Sequence, residues 1–366
     1  MIKGYATPEG TSNYAKGITN VGKGHFRSFV GLTLSSIGIG TYLGNIDGAT
    51  DNLVKDAVKK SVLSGINVID TAINYRAQKA ERSVGKAVAE LMEEGKIERD
   101  QIFISTKNGY VTNDGDIKQD FWEYIHKNLA KRGVIKPNDI SSGYHCMTIP
   151  YLDDQLHRSL KNLGVDCIDL MYLHNAVEGQ QDISRDIFMK RLKEVFEFYE
   201  TKRKEGTIRY YGMATWDCFR VPKDDPQHLL LTDVVALAKE VGGNEHGFKF
   251  VQLPFNMYLD QAYMKKNQTV NGHELSILQA AQNLGVGIFA SVPLMQSKLL
   301  GPGALPEFGN LKPAHRALQF VRSTPGIVAP LVGHKTTSHV DENLELIQVS
   351  PMSEQEFNQL VKNLTS

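Results

Sequence analysis

Gly65-Ile-Asn-Val-Ile-Asp70-Thr-Ala-Ile-Asn-Tyr75-Arg76 sets a short apolar run between a glycine and an aspartate. Two later segments repeat that grammar: Ile102-Phe-Ile-Ser-Thr-Lys107 and Asp169-Leu-Met-Tyr-Leu-His174. An apolar run of about four to six residues bounded by turn or charge signals reads as a buried parallel strand, and the residue that ends it is delivered to the strand's carboxyl end. Three successive strands therefore bring Asp70, Lys107 and His174 to one rim, with Tyr75 close behind Asp70 in the adjoining loop.

That grouping has a chemical logic. A phenol with an ordinary pKa of about 10 is a poor acid at neutral pH unless a cation stabilises its phenolate, and Lys107 is placed to be that cation. Asp70 pairs with Lys107 and aims it, while His174 hydrogen-bonds a substrate oxygen or the phenol. A tuned tyrosine suits proton donation to a carbonyl oxygen as it gains charge. Taken singly, a strand-end Asp, Lys or His more often caps a turn or satisfies a core contact; the ordered set with Tyr75 points to catalysis.

Strand-like runs alternate with amphipathic helical segments, from Asn52–Leu63 and Glu81–Glu94 near the start to Ala314–Val321 and His339–Leu346 near the end. Eight such units predict an α/β fold, a closed (β/α)₈ TIM barrel. Gly65, Gly164, Gly206, Gly285 and Gly326 each fall just before a strand, where a helix C-cap tolerates a positive φ. The 366 residues by themselves allow one large barrel or two domains. The barrel reading assigns 1–26 to a loosely held N-terminal extension and 27–366 to a single domain. Ser353 to Leu364 forms an extra C-terminal helix, and long loops occupy 108–150 and 217–247. The first loop, with Trp122, Tyr124, Tyr144 and His145, is expected to wall part of the pocket or else to elaborate the surface.

From about Arg27 to the C-terminus the chain resembles the aldo-keto reductase family. The resemblance rests on Gly38-Ile-Gly-Thr-Tyr42, Asn67-Val-Ile-Asp-Thr-Ala72, Ser105-Thr-Lys107, Tyr172-Leu-His174, Lys204-Glu-Gly-Thr-Ile-Arg-Tyr-Tyr-Gly212, Val251-Gln-Leu-Pro-Phe-Asn256, Ala290-Ser-Val-Pro-Leu294 and Val332-Gly-His-Lys-Thr-Thr-Ser-His-Val-Asp-Glu-Asn343. Arg27 to Leu34 is similar to the hairpin that closes the bottom of that barrel. The resemblance implies hydride transfer between NADPH and an aldehyde or ketone, or the reverse on an alcohol, with Tyr75 as acid/base, Lys107 and Asp70 tuning it, and His174 orienting the carbonyl. It places the cofactor (NADP) against Gly40, Thr41, Tyr42, Asp70, Thr215, Gln252, Ser291, Val292, Pro293, Leu294, Gly333, His334, Lys335, His339, Glu342 and Asn343.

The residues 333–338 lead into a helix, whose N-terminus and backbone amides suit a pyrophosphate, with Lys335 as the cation for a 2'-phosphate. Three places in the chain, four residues in all, depart from the family's pattern. His339 stands where many members carry an Arg, Ala214-Thr215 where they carry Ser-Asn, and Ser291 where a Tyr stacks on the nicotinamide. Trp216 and Met295 are the nearby candidates to replace that stack.

Lys plus Arg equal Asp plus Glu at 41 each, so no net field recruits nucleic acid or an anionic membrane. Cys146, Cys167 and Cys218 lack CxxC spacing, no secretory segment precedes them, and no stretch is apolar enough to span a bilayer; the expectation is a reduced, cytoplasmic protein acting on a small molecule. Oligomeric state stays open. No metal site is expected, since His273-Glu274 lacks a second His at helix spacing. Gly38-Ile-Gly40 with Gly44 imitates a dinucleotide fingerprint, but its third glycine falls one place late. Two other functions remain possible at this level: a cofactor-sensing regulatory subunit with negligible turnover, and a barrel lyase or isomerase without nicotinamide.

Overall fold

The computed structural model describes residues 1–365 apart from His334 and Thr336. A two-stranded hairpin, β1 (Phe26–Phe29) and β2 (Leu32–Ser35), precedes the barrel. The barrel strands are β3 (Gly38–Gly40), β4 (Val68–Asp70), β5 (Phe103–Asn108), β6 (Ile168–His174), β7 (Ile208–Ala214) and β8 (Phe248–Pro254). After a small hairpin of β9 (Gln268–Val270) and β10 (His273–Leu275), β11 (Gly287–Ser291) and β12 (Ile327–Gly333) complete it. All eight barrel strands are parallel, and β11 closes the ring against β8.

The helices are α1 (Pro8–Gly17), α2 (Gly48–Leu63), α3 (Lys79–Glu93), α4 (Phe121–Asn128), α5 (Ile149–Leu163), α6 (Ala176–Gly179), α7 (Arg185–Glu205), α8 (Leu231–Gly242), α9 (Gln261–Met264), α10 (Ile277–Leu284), α11 (Pro313–Ser323), α12 (Thr337–Glu345) and α13 (Glu354–Thr365). Among the described residues no helix is long and apolar enough to cross a membrane.

Strands buried on both faces explain the continuous apolar runs: every residue of β5 and β6 is buried. Inside the ring, Val68, Phe103, Leu170, Phe250 and Phe289 fill the lumen. Phe250 sits against Phe289, Phe103 and, from the hairpin, Phe29, with ring centroids 5.5, 5.5 and 5.1 Å away. The hairpin thus plugs the floor, and the opposite rim is left for chemistry. α5 and α7 end on Gly164 (φ 69°) and Gly206 (φ 81°), left-handed caps that turn the chain straight into the next strand.

The N-terminal stretch differs from the loose extension expected. Thr7 caps α1 by accepting from the Gly10 amide at 2.9 Å, and Pro8 opens the helix. Ile2 bridges to Val165, the Ala6 amide donates to Asp169 Oδ1 at 2.6 Å, and the buried Tyr14 hydroxyl donates to the Val62 carbonyl. Apolar contacts join these polar ones: Tyr14 and Ala6 are buried in the core, and Ile2 and Ile18 pack against it. The loop after β5 folds on a small core of its own: Val111, Tyr124, Ile125, Leu129, Ile135, Cys146 and Tyr151. The C-terminal helix α13 docks through Phe357, buried against Phe320 and Tyr263.

Candidate active site

Asp70 closes β4, Lys107 is the penultimate residue of β5, and His174 closes β6, so the register of neighbouring parallel strands places all three on the C-terminal rim. Tyr75 stands in the turn after β4, which is pinned by the Thr71 amide to Ser105 (2.9 Å) and the Ile73 amide to Lys107 (3.3 Å). The next three residues, Arg76, Ala77 and Gln78, all have positive φ, at 49°, 50° and 73°. Left-handed backbone costs a non-glycine residue about 1–2 kcal/mol, so neighbours must hold it. The Arg76 guanidinium does so by donating to Asp51 at 2.7 Å and Ser83 at 2.9 Å, while Gln78 donates to the Asn113 carbonyl at 3.0 Å.

Asp70 accepts three hydrogen bonds: from Lys107 Nζ at 2.5 Å, Ser105 Oγ at 2.8 Å and Gln252 Nε2 at 3.2 Å. Lys107 also donates to the Thr71 carbonyl at 2.7 Å, and its ammonium lies 4.8 Å from the Tyr75 ring centroid. The Tyr75 ring meets Tyr42 and His174 edge to face, with centroids at 5.0 and 5.9 Å. The structure thus brings all four expected catalytic residues together.

The electrostatics differ in one respect from the expectation of a phenolate-stabilising lysine. Burial, reinforced by the Asp70 carboxylate, holds the Tyr75 phenol well above its ordinary range, and burial lowers the Lys107 ammonium. Because Asp70 offsets the charge of Lys107, Tyr75 faces a neutral pair and keeps its proton. Burial and the charge of Lys107 keep His174 neutral, well below the usual histidine range. Behind it, His145 Nε2 meets the His174 carbonyl at 2.8 Å and its Nδ1 meets Gln180 Nε2 at 3.1 Å. Only the Nε2–H tautomer of His145 satisfies both contacts.

A cavity of about 440 Å³ opens above these groups. Of the expected cofactor residues, Gly40, Thr41, Tyr42, Asp70, Thr215, Gln252, Ser291, Val292, Pro293, Leu294 and Gly333 line it. Lys335, His339, Glu342 and Asn343 do not; they follow Gly333 into α12, where Asn343 is buried and the Glu342 carbonyl contacts His315. His334 lies outside the described residues. Trp216 lines the cavity and Met295 does not, and the Trp216 amide is fixed by Glu178 at 2.9 Å.

Sequence reasoning missed Asn74, Tyr110 and Asn175 in the wall. Tyr110, two residues beyond the end of β5, could have been flagged from its place at a strand's carboxyl end. The expected wall residues of the long loop fall elsewhere. Tyr124 is buried in the loop's own core, His145 lies beneath His174, and Trp122 and Tyr144 form an exposed aromatic corner with Phe121.

The sequence profile described as the Aldo/keto reductase family matches residues 36–307, and the chain belongs to that family. The uncharacterized oxidoreductase YqkF of Bacillus subtilis is 22% identical over 348 residues, covering 90% of this chain and 92% of that one. The NADH-specific methylglyoxal reductase of Escherichia coli is 26% identical, over 51% of this chain and 50% of that one. Among solved structures, the aldo-keto reductase AKR11C1 from Bacillus halodurans in its holo form is 22% identical, covers 92% of this chain and 95% of that chain, and superposes with a TM-score of 0.61. An aldo/keto reductase from Klebsiella pneumoniae in complex with NADP and acetate is 20% identical over 94% and 95% of the two chains, with a TM-score of 0.58. At these identities the solved structures bear on the fold.

Proposed function

We propose that this protein is a cytoplasmic oxidoreductase that reduces an aldehyde or ketone, with NADPH as hydride source and Tyr75 as general acid. The observation that carries the reading is the Asp70–Lys107 pair at 2.5 Å, set 4.8 Å beneath the Tyr75 ring with His174 across it. Bound nicotinamide supplies the hydride. The residues of this chain do the rest: neutral His174 donates a hydrogen bond to the carbonyl oxygen and orients it, and Tyr75 passes its phenolic proton to that oxygen as charge develops. Burial, together with the buried pair, keeps the phenol protonated until the carbonyl oxygen takes the proton.

The cavity suits the cofactor's carboxamide. Gln252 Oε1 is buried in the wall without a hydrogen-bond partner, an acceptor for an amide N–H, and Thr215 stands at the end of the neighbouring strand. The start of α12 with Lys335 suits the phosphates. NADP in the Klebsiella structure supports this class of cofactor, while the NADH-specific Escherichia coli relative makes the choice between the two worth measuring.

The test is calorimetric titration with NADPH and NADH, followed by cofactor-dependent turnover of a panel of aldehydes. Absence of binding to both cofactors would end the reductase reading. Tight binding with turnover far slower than cofactor exchange would replace it with a sensor.

A further inference from the structure

Building on the carbonyl-reductase reading, we propose that the substrate is an uncharged aryl aldehyde or ketone bearing a polar, non-ionic substituent anchored by Tyr110, and that anionic counterparts are excluded. The charge inventory of the cavity carries the first part. Among the described residues of its wall there is no Lys or Arg, and the carboxylate there, Asp70, is matched by Lys107 behind it. His174 is held neutral. A carboxylate or phosphate on a substrate seated against this wall would therefore lose hydration without meeting a free cation, which is costly.

Shape and hydrogen-bonding capacity carry the second part. The cavity wall presents the rings of Tyr42, Tyr110 and Trp216, and two of these are left open, Tyr42 at 56% and Trp216 at 44% exposure. Flat apolar faces of this kind are covered well by another ring. Tyr110 meets His174 edge to face with centroids 5.0 Å apart, beside the residue proposed to orient the carbonyl. Its phenolic oxygen accepts from Asn175 Nδ2 at 3.2 Å, so its own proton remains to donate to a substrate acceptor. Asn74 Oδ1 adds a buried acceptor without a partner, which favours a donor such as a hydroxyl or amide and repels a carboxylate.

The experiment compares kcat/KM of the wild-type enzyme for benzaldehyde, para-carbamoylbenzaldehyde and para-carboxybenzaldehyde, each normalised to its rate with borohydride in free solution. The carbamoyl and carboxylate compounds share shape and differ in charge. The carboxylate is expected to be poorer by at least about tenfold, the loss that corresponds to about 1.4 kcal/mol. Tyr110→Phe is expected to lower kcat/KM for the carbamoyl compound by about five- to tenfold more than for benzaldehyde, the range for one lost hydrogen bond. Equal or better use of the carboxylate overturns the exclusion, and an equal Tyr110→Phe effect on both neutral aldehydes overturns the anchor. Turnover of none of the three by cofactor-loaded enzyme overturns the reductase reading itself, an outcome distinct from turnover in the wrong order.

Discussion

Lys107 Nζ is committed to Asp70, at 2.5 Å, with the side chains of the pair only 1% and 3% exposed. A buried ion pair of this kind is costly to break from one side, because the survivor is left charged and unpaired. Lys107→Met is therefore expected to destabilise the fold by about 3–5 kcal/mol, and Asp70→Asn added to Lys107→Met to recover most of it. Urea unfolding of the four proteins in the cycle checks this, and purely additive losses would refute the coupling.

Tyr75→Phe removes the phenolic proton while keeping the ring that packs against Tyr42 and His174. The single-turnover rate of carbonyl reduction is expected to fall by about a hundredfold or more, with cofactor affinity by calorimetry within about twofold of wild type. Wild-type-like turnover would remove Tyr75 from the chemistry.

The pH profile follows from the same electrostatics. With Tyr75 protonated well above its usual range and His174 neutral well below its own, carbonyl reduction is expected to be flat from about pH 6.5 to about pH 9. Alcohol oxidation, which needs the phenolate, should rise with pH across that window without a plateau. An inflection near neutrality in the reductive rate would contradict this assignment.

Stability has its own pH dependence. Burial holds His25 and His145 neutral, each lowered to about 4 from an ordinary value of 6.5. The unfolded chain binds protons at these sites first, so stability is full above about pH 6.5 and is lost as pH falls toward about 4. Each imidazole contributes about 1.4 kcal/mol per pH unit within that window. Urea midpoints at pH 7 and pH 5 should therefore differ, and His145→Gln should flatten the slope; superimposable midpoints at the two pH values would rule the effect out.

In the proposed cofactor site Lys335, just ahead of α12, is the cation offered to a 2'-phosphate. Lys335→Ala is expected to weaken NADPH by roughly tenfold and NADH by less than about twofold, as for loss of one charge-assisted contact. Equal losses for both cofactors in calorimetry would place Lys335 elsewhere in the site.

What could be read from the sequence divides along physical lines. Asp70, Lys107 and His174 were legible because a doubly buried strand is mostly apolar, so that an ionisable residue at its rim end stands out. The cavity-lining residues from Gly40 to Gly333 were legible through the family's motifs. Tyr110 and Asn175 were not, since their meeting depends on how two loops from different strands converge. Trp122, Tyr124 and Tyr144 misled because aromatic content says nothing about direction, and this loop turns its rings into its own core and corner. The N-terminal helix was hidden by its low hydrophobicity, although Thr7 and Pro8 spelled its start.

The chain has two tryptophans, and the fold puts them to different uses. Trp216 is part of the cavity wall, while Trp122 stands in the aromatic corner of the long loop, apart from the cavity lining. In a Trp122→Phe background every indole photon would originate at the mouth of the site. Energy transfer from that indole to a reduced nicotinamide would then time cofactor entry and departure, step by step, in an unlabelled protein.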